Sequence, residues 1–114
     1  MAALGYVREA GDLVWLEFDP QTGHEQAGRR PALVISPAIY NAKAGLMVCC
    51  PMSTRVKGYP FEVKTSADGV DGVVLSDQVK SLDWKQRRAR KKGRVEASVL
   101  HEVRAKIKAL LQIK

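Results

Sequence analysis

Apolar and polar residues alternate through most of the chain and then change period near its end. In Asp12–Phe18, DLVWLEF, Val14, Leu16 and Phe18 fall on one face and Leu13, Trp15 and Glu17 on the other. That two-residue rhythm predicts a strand with one strongly buried side. PALVIS, residues 31–36, is a continuous β-rich run opening on Pro31, and a strand tolerates proline at its first residue. Further short strands are expected at 46–51, 61–64, 72–76 and 79–82, with Asn41 and Gly45, Gly58 and Pro60, and residues 68–72 supplying the turns. Short strands in such succession, with no helix among them, predict a mainly β domain: a small antiparallel barrel that removes its open edges by curling closed.

Over the last twenty residues the period becomes helical. Val99, Val103, Ile107, Leu110 and Leu111 form one stripe, with His101, Glu102, Arg104, Lys106 and Lys108 mostly opposite. An amphipathic terminal helix lying on the barrel is expected, its apolar stripe belonging to the core.

Length and composition narrow the picture. A chain of 114 residues makes one domain, 1–114, and 46% hydrophobic with 27% charged residues is an ordinary globular balance. The opening MAALGYVREA lacks the charged start and long apolar stretch of a signal peptide, and no run approaches membrane length, so a cytoplasmic protein without membrane contact is expected. Cys49 and Cys50 are adjacent, so on a strand they point to opposite faces and read as structural thiols. With His24 and His101 as the only histidines, no Cys/His spacing matches a zinc site, and neither metal nor cofactor is expected.

The net charge of +7 is unevenly placed. Residues 80–114 hold twelve Lys/Arg against three Asp/Glu, and the rest of the chain seven against nine. In KQRRARKKGR, 85–94, seven of ten residues are cationic. Such density attracts phosphate or an acidic protein segment, or else forms a solvated surface loop.

The densest candidate chemistry is GHEQAGRRP, residues 23–31. It lies in a connection, 19–30, longer than the roughly two to five residues of a hairpin loop. Gly23 and Gly28 permit left-handed turns and Pro31 fixes the exit direction. His24, Glu25, Arg29 and Arg30 present either a general base beside a cation or a carboxylate paired with arginine to stiffen the loop.

Five stretches in order, GDLVWLEFDP, GHEQAGRRPALVISP, Tyr40-Asn41, CPMSTRVKGYPFEV and GVVLSDQVKSLDW, closely resemble the MazF/PemK/Kid family of bacterial toxins, from Gly11 to the terminal helix. The resemblance implies an SH3-like barrel of the MazF/CcdB kind with a C-terminal helix, a homodimer, and the toxin of a type II toxin–antitoxin system. Its implied activity is that of an mRNA interferase, a metal-independent, sequence-specific endoribonuclease on single-stranded RNA that arrests growth. The implied partner is an antitoxin of the MazE type whose acidic, flexible tail covers the RNA surface, with DNA reached only through the antitoxin complex. Localised positive charge fits that implication.

Cutting RNA without a metal requires the ribose 2′-hydroxyl to attack phosphorus, leaving a 2′,3′-cyclic phosphate and a 5′-hydroxyl. A base must take the 2′ proton, an acid must protonate the departing oxygen, and a cation or donors must hold the charge on phosphorus. The resemblance carries a catalytic arginine onto Arg30 and a hydroxyl onto Ser53, where many relatives have threonine; Thr54 is a second donor. For the base, Glu25 matches the carboxylate of the MazF branch, whereas His24 and Asp77 match catalytic positions of the Kid branch. Histidine titrates near neutrality, and a carboxylate beside arginine is the weaker base, which keeps both open. Leu75 stands where the Kid branch has an arginine, so Asp77 reads equally as a turn residue. Substrate contacts are expected from Lys57 and Tyr59 after Ser53 and from Trp84, Lys85, Arg87 and Arg88 in the basic run, because single-stranded RNA is held by cations and stacked on aromatics. Trp15 reads as a core or interface residue.

Two other classes share some of these features. A gyrase poison of the CcdB kind depends on a C-terminal tryptophan segment, which the ending LLQIK lacks. A non-catalytic nucleic-acid-binding module would need only the basic segment.

Overall fold

A computed structural model of the chain describes residues 7–18, 28–67 and 69–114. The described elements are the strands β1 Asp12–Phe18, β2 Gly28–Val34, β3 Leu46–Ser53, β4 Glu62–Ala67, β5 Val70–Leu75, β6 Lys80–Asp83 and β7 Arg90–Arg94, and the helices α1 Ala38–Ala44 and α2 Ala97–Leu111. A single 3-10 turn, Ser76–Gln78, joins β5 to β6. All the strand pairings are antiparallel, in the order β4-β5-β3-β2-β1-β7 with β6 also on β3. The architecture is a mainly antiparallel half-barrel with a C-terminal helix, as the alternating pattern predicts.

β3 makes the curl. One of its edges pairs with β2 at Cys49, Cys50 and Pro51, while the other takes β6 from Leu46 to Cys49 and then β5 at Met52 and Ser53. A strand that changes partner midway bends the sheet, and both faces of the bend are filled. Leu13, Leu33, Cys50, Met52, Val63 and Val74 pack with Val95 and with Val103 of α2 on one face. Val14, Leu16, Ala32, Val34, Met47 and Cys49 pack with Trp84 and Ala89 on the other.

Several expectations change. On β1, Leu13 of the second face is as fully buried as Val14, beneath α2, while Trp15 and Glu17 on that face are half-buried. A helix does interrupt the strands: Pro37 precedes α1, Gly45 ends it at φ 71°, and Asn41 is a buried helix residue instead of a turn residue. Pro31 is the fourth residue of β2, not its first. The basic run contains β7, whose backbone completes the free edge of β1 while Ala89 and Val95 anchor it from both sides. The helical stripe reaches the core through Val99, Leu100, Val103 and Ile107, but Leu110 and Leu111 lie past the sheet and are exposed.

The adjacent cysteines fall in opposite clusters, as the pleat requires, and both thiols are free. Burial pushes Cys49 up to about 11 and Cys50 up to about 12, so neither supplies a thiolate nucleophile at neutral pH. No helix among the described residues is long and apolar enough to cross a membrane.

Candidate active site

Pro31 decides where the site opens. β2 pairs with β3 over Ala32 to Val34, and Pro31, which has no N–H to offer, stands where that ladder stops. Arg30 of β2 and Ser53 of β3 both lie two residues beyond the last pair of that ladder, Ala32 and Pro51. Beyond the last β2 contact, β3 continues with β5 as its partner. The gap so formed is a groove of about 610 Å³ lined by Arg30, Pro31, Met52, Ser53, Thr54 and Arg55, with Lys57, Tyr59, Glu62, Leu75 and Gln78 beyond them.

The Ser53 hydroxyl is already oriented. Its Oγ accepts a hydrogen bond from the Arg55 N–H at 3.0 Å, a local turn that occupies a lone pair and leaves the hydroxyl proton for an anionic acceptor. This contact supplies part of the restraint that a threonine methyl would have given. Thr54, Arg55 and Lys57 follow on the exposed connection between β3 and β4, so three potential donors accompany the strand hydroxyl.

Tyr59 lines the far wall and donates to Asp77 Oδ1 at 3.0 Å. Partial desolvation, followed by the hydrogen bond to Asp77, raises the phenol above its ordinary value, so it is a neutral donor and a stacking surface at pH 7. Asp77 itself is not among the groove-lining residues; it acts on the groove through Tyr59.

Three residues of the basic run lie elsewhere. Trp84 is only 6% exposed, its Nε1 donates to the Asn41 carbonyl at 2.9 Å, and it fills the second core, so the expectation of a base-stacking contact is corrected to a packing role. The reason is geometric: β6 pairs with β3 and delivers its following residue under the sheet. Lys85 stands 5.5 Å over that indole, at the exposed side of the turn. The Arg87 carbonyl accepts the Glu17 N–H at 2.8 Å, which sets this turn beside the end of β1 rather than on the groove wall. His24 and Glu25 lie outside the described residues, in the interval 19–27 that links β1 directly to Arg29 and Arg30.

Arg55 and Glu62 were not singled out in the sequence. Arg55 carries a signal, one residue removed from a candidate hydroxyl pair. Glu62 carries none, because its task depends on how the β3–β4 connection folds back. Among the described residues no cluster of His, Cys, Asp and Glu is arranged to hold a metal ion. The groove offers cations and hydroxyl donors along an open space of about 610 Å³, an arrangement able to hold an anionic group and charge developing on it.

Residues 9–111 match the family model of the PemK-like, MazF-like toxins of type II toxin–antitoxin systems. The endoribonuclease toxin MazF of Escherichia coli (strain K12) is 53% identical over 106 residues, 93% of this chain and 96% of that protein. The endoribonuclease PemK of Escherichia coli is 31% identical, over 90% of this chain and 81% of that protein. A chain of the MazE–MazF (Form-II) crystal structure from Deinococcus radiodurans superposes with a TM-score of 0.89 at 58% identity, over 96% of this chain and 99% of that chain. The Mycobacterium tuberculosis toxin MazF-mt6, 17% identical, shares the fold with a TM-score of 0.71 over 90% of this chain and 98% of its own.

Proposed function

As the chain belongs to the PemK-like, MazF-like toxins of type II toxin–antitoxin systems and is an endoribonuclease toxin, we propose that it cuts single-stranded mRNA at short sequences in the groove between Arg30 and Ser53. The observation that carries this reading is that Arg30 and an oriented Ser53 hydroxyl line one groove where the β2–β3 ladder ends.

In the proposed reaction the 2′-oxygen attacks the adjacent phosphorus as its proton passes to a base, and the bond from phosphorus to the 5′-oxygen breaks as that oxygen takes a proton. The products are a 2′,3′-cyclic phosphate and a 5′-hydroxyl, and no metal is needed. Arg30 holds the charge that grows on the non-bridging oxygens, through a planar fork suited to phosphate. Ser53 donates its free hydroxyl proton to one of those oxygens, and Thr54 is a second donor. Glu25 and His24 are the two candidates for the base. Lys57 and Tyr59 hold the strand on one side of the cut, whereas Lys85 and Arg87, on the turn beside the end of β1, are cations outside the groove. The active species is a homodimer, and the cognate antitoxin is an acidic protein of the MazE type. Solved complexes of similar chains with MazE support that partner.

The test is incubation of the protein, with EDTA present, against long unstructured RNA and the matching DNA, beside Arg30→Ala. Cuts in RNA alone at a recurring motif, with cyclic phosphate ends and loss in the variant, are expected. RNA that is bound and stays intact would make this a binding module and end the catalytic assignment.

A further inference from the structure

β5 lies between β3 and β4 in the sheet, so the connection from Thr54 to Phe61 has to pass the end of β5 to reach β4. Its amides have no ladder to join, and an eight-residue excursion of that kind is mobile unless tied down. The tie is Glu62, the first residue of β4. Its Oε2 accepts the Lys57 N–H at 2.9 Å, its Oε1 accepts the Gly58 N–H at 2.8 Å, and its own N–H donates to the Tyr59 carbonyl at 3.1 Å. Gly58 sits at φ 88°, a left-handed conformation that lets the chain turn two successive amides toward one carboxylate.

Neighbouring contacts extend the hold. Lys106 Nζ of α2 donates to the Pro60 carbonyl at 2.7 Å, and both the N–H and the hydroxyl of Ser76 donate to the Phe61 carbonyl. Glu62 therefore borders a cationic groove without acting as its counter-ion. Both oxygens are engaged by loop amides, and no ion pair among the described residues joins it to Arg55 or Lys57.

We propose that Glu62 is a positioning residue for RNA capture: its carboxylate closes the Lys57–Gly58 turn so that Lys57 and Tyr59 stand at the groove before the strand arrives. This rests on the groove being the RNA-cleavage site. Arg30 and Ser53 sit on strands, and the Arg55 amide that orients Ser53 lies next to the end of β3, ahead of the clamped Lys57–Gly58 turn, so loss of the clamp weakens binding more than the chemical step. When only a fraction of molecules holds the competent loop, apparent affinity falls by that fraction.

The experiment compares wild type, Glu62→Ala and Glu62→Gln in EDTA-containing RNA cleavage, with amide hydrogen exchange at Lys57 and Gly58 and a thermal melt of each variant. Glu62→Ala is expected to raise KM about tenfold with kcat held to about twofold. Exchange at both amides should accelerate. Glu62→Gln keeps one acceptor oxygen, holds one amide, and should fall between. A KM that drops in both variants would make Glu62 a repulsive charge near the RNA and overturn the proposal. Unchanged exchange removes the clamp itself, and faster exchange with unchanged KM removes its bearing on RNA. Wild-type protein that leaves RNA intact overturns the cleavage-site reading, whereas active wild type matched by Glu62→Ala overturns only the role of Glu62.

Discussion

Gly72 of β5 passes so close to Ser53 of β3 that a side chain there has no room: a Cβ would stand 2.6 Å from the Ser53 carbonyl oxygen and 2.9 Å from Met52 Cε. The methionine end can move aside, but the carbonyl belongs to a strand paired through Ser53 and Val73. Gly72→Ala is therefore expected to push the backbone of Ser53 and with it the hydroxyl. The overpacking should cost about 1–3 kcal/mol of stability. It should also lower kcat by a larger factor than it raises KM, because a displaced donor meets the transition state poorly. Denaturant titration and steady-state RNA cleavage check both, and a folded variant with unchanged kcat would separate the position of Ser53 from turnover.

Arg30 is expected to dominate the chemical step. Replacing it with alanine should lower kcat about 100- to 1,000-fold, the range for removal of one preorganised donor to a developing oxyanion. KM should change little, since Arg55 and Lys57 also line the groove and leave two cations there for the RNA backbone. Arg30→Lys should recover only a small part, because an ammonium is a point charge without the two-pronged fork. Single-turnover cleavage with a synthetic RNA distinguishes this from loss of binding.

Trp84 should prove to be a stability residue. Trp84→Phe removes the bond from Nε1 to the Asn41 carbonyl and leaves a space in the second core. A loss of about 1–3 kcal/mol is expected, from one buried hydrogen bond and a modest cavity. RNA affinity measured by anisotropy should be unaltered at a temperature where the variant is folded, whereas an indole that stacked on a base would lose binding and keep its melting temperature.

Glu9 gives the fold an acid-sensitive tie. Its Oε1 accepts the N–H groups of Ala10, at 2.8 Å, and Ala38, at 3.0 Å, joining the turn before β1 to the start of α1. Those bonds hold the carboxyl below the ordinary glutamate range, the Ala10 amide first and the Ala38 amide next. A carboxyl depressed in the folded state stabilises it above the unfolded value, about pH 4.3, and that contribution fades as pH falls through the folded value. Glu9→Gln should thus melt below wild type at pH 7, with the difference shrinking in acid. A gap that stays constant down to pH 2 would show that the carboxylate charge plays no part.

Much was legible in the chain because it rests on local periodicity. Val14 and Leu16 in the alternating stretch, the apolar run Ala32 to Val34 and Val103 of the helical stripe are buried as their spacing states, with Val99 and Ile107 packed partly buried beside Val103. The opposed Cys49 and Cys50 follow from the pleat alone. Helix α1 was also written locally, in Pro37, three alanines and Gly45, but Asn41 with Gly45 four residues on reads as a turn until its side chain is seen bonded to Ser36 and to the Arg8 carbonyl. β7 had no local signal: RKKGR becomes a strand because the edge of β1 needs hydrogen-bond partners, a demand set by a segment about eighty residues away.

The candidate site divides in the same way. The sequence by itself determined which chemical groups are present, and its ordered motifs determined the family, because arginine, serine, lysine and tyrosine keep their donors whatever the fold. Only the tertiary structure decided which of them meet. It stopped the β2–β3 ladder at Pro31 to open a groove, brought Arg30 and Ser53 to its lining, and turned Glu62 back onto its own loop. It also took Trp84 out of solvent. Burial and distance between residues far apart in the chain follow from how the strands pair and how the sheet curls around its two cores, and no window of neighbouring residues contains that information.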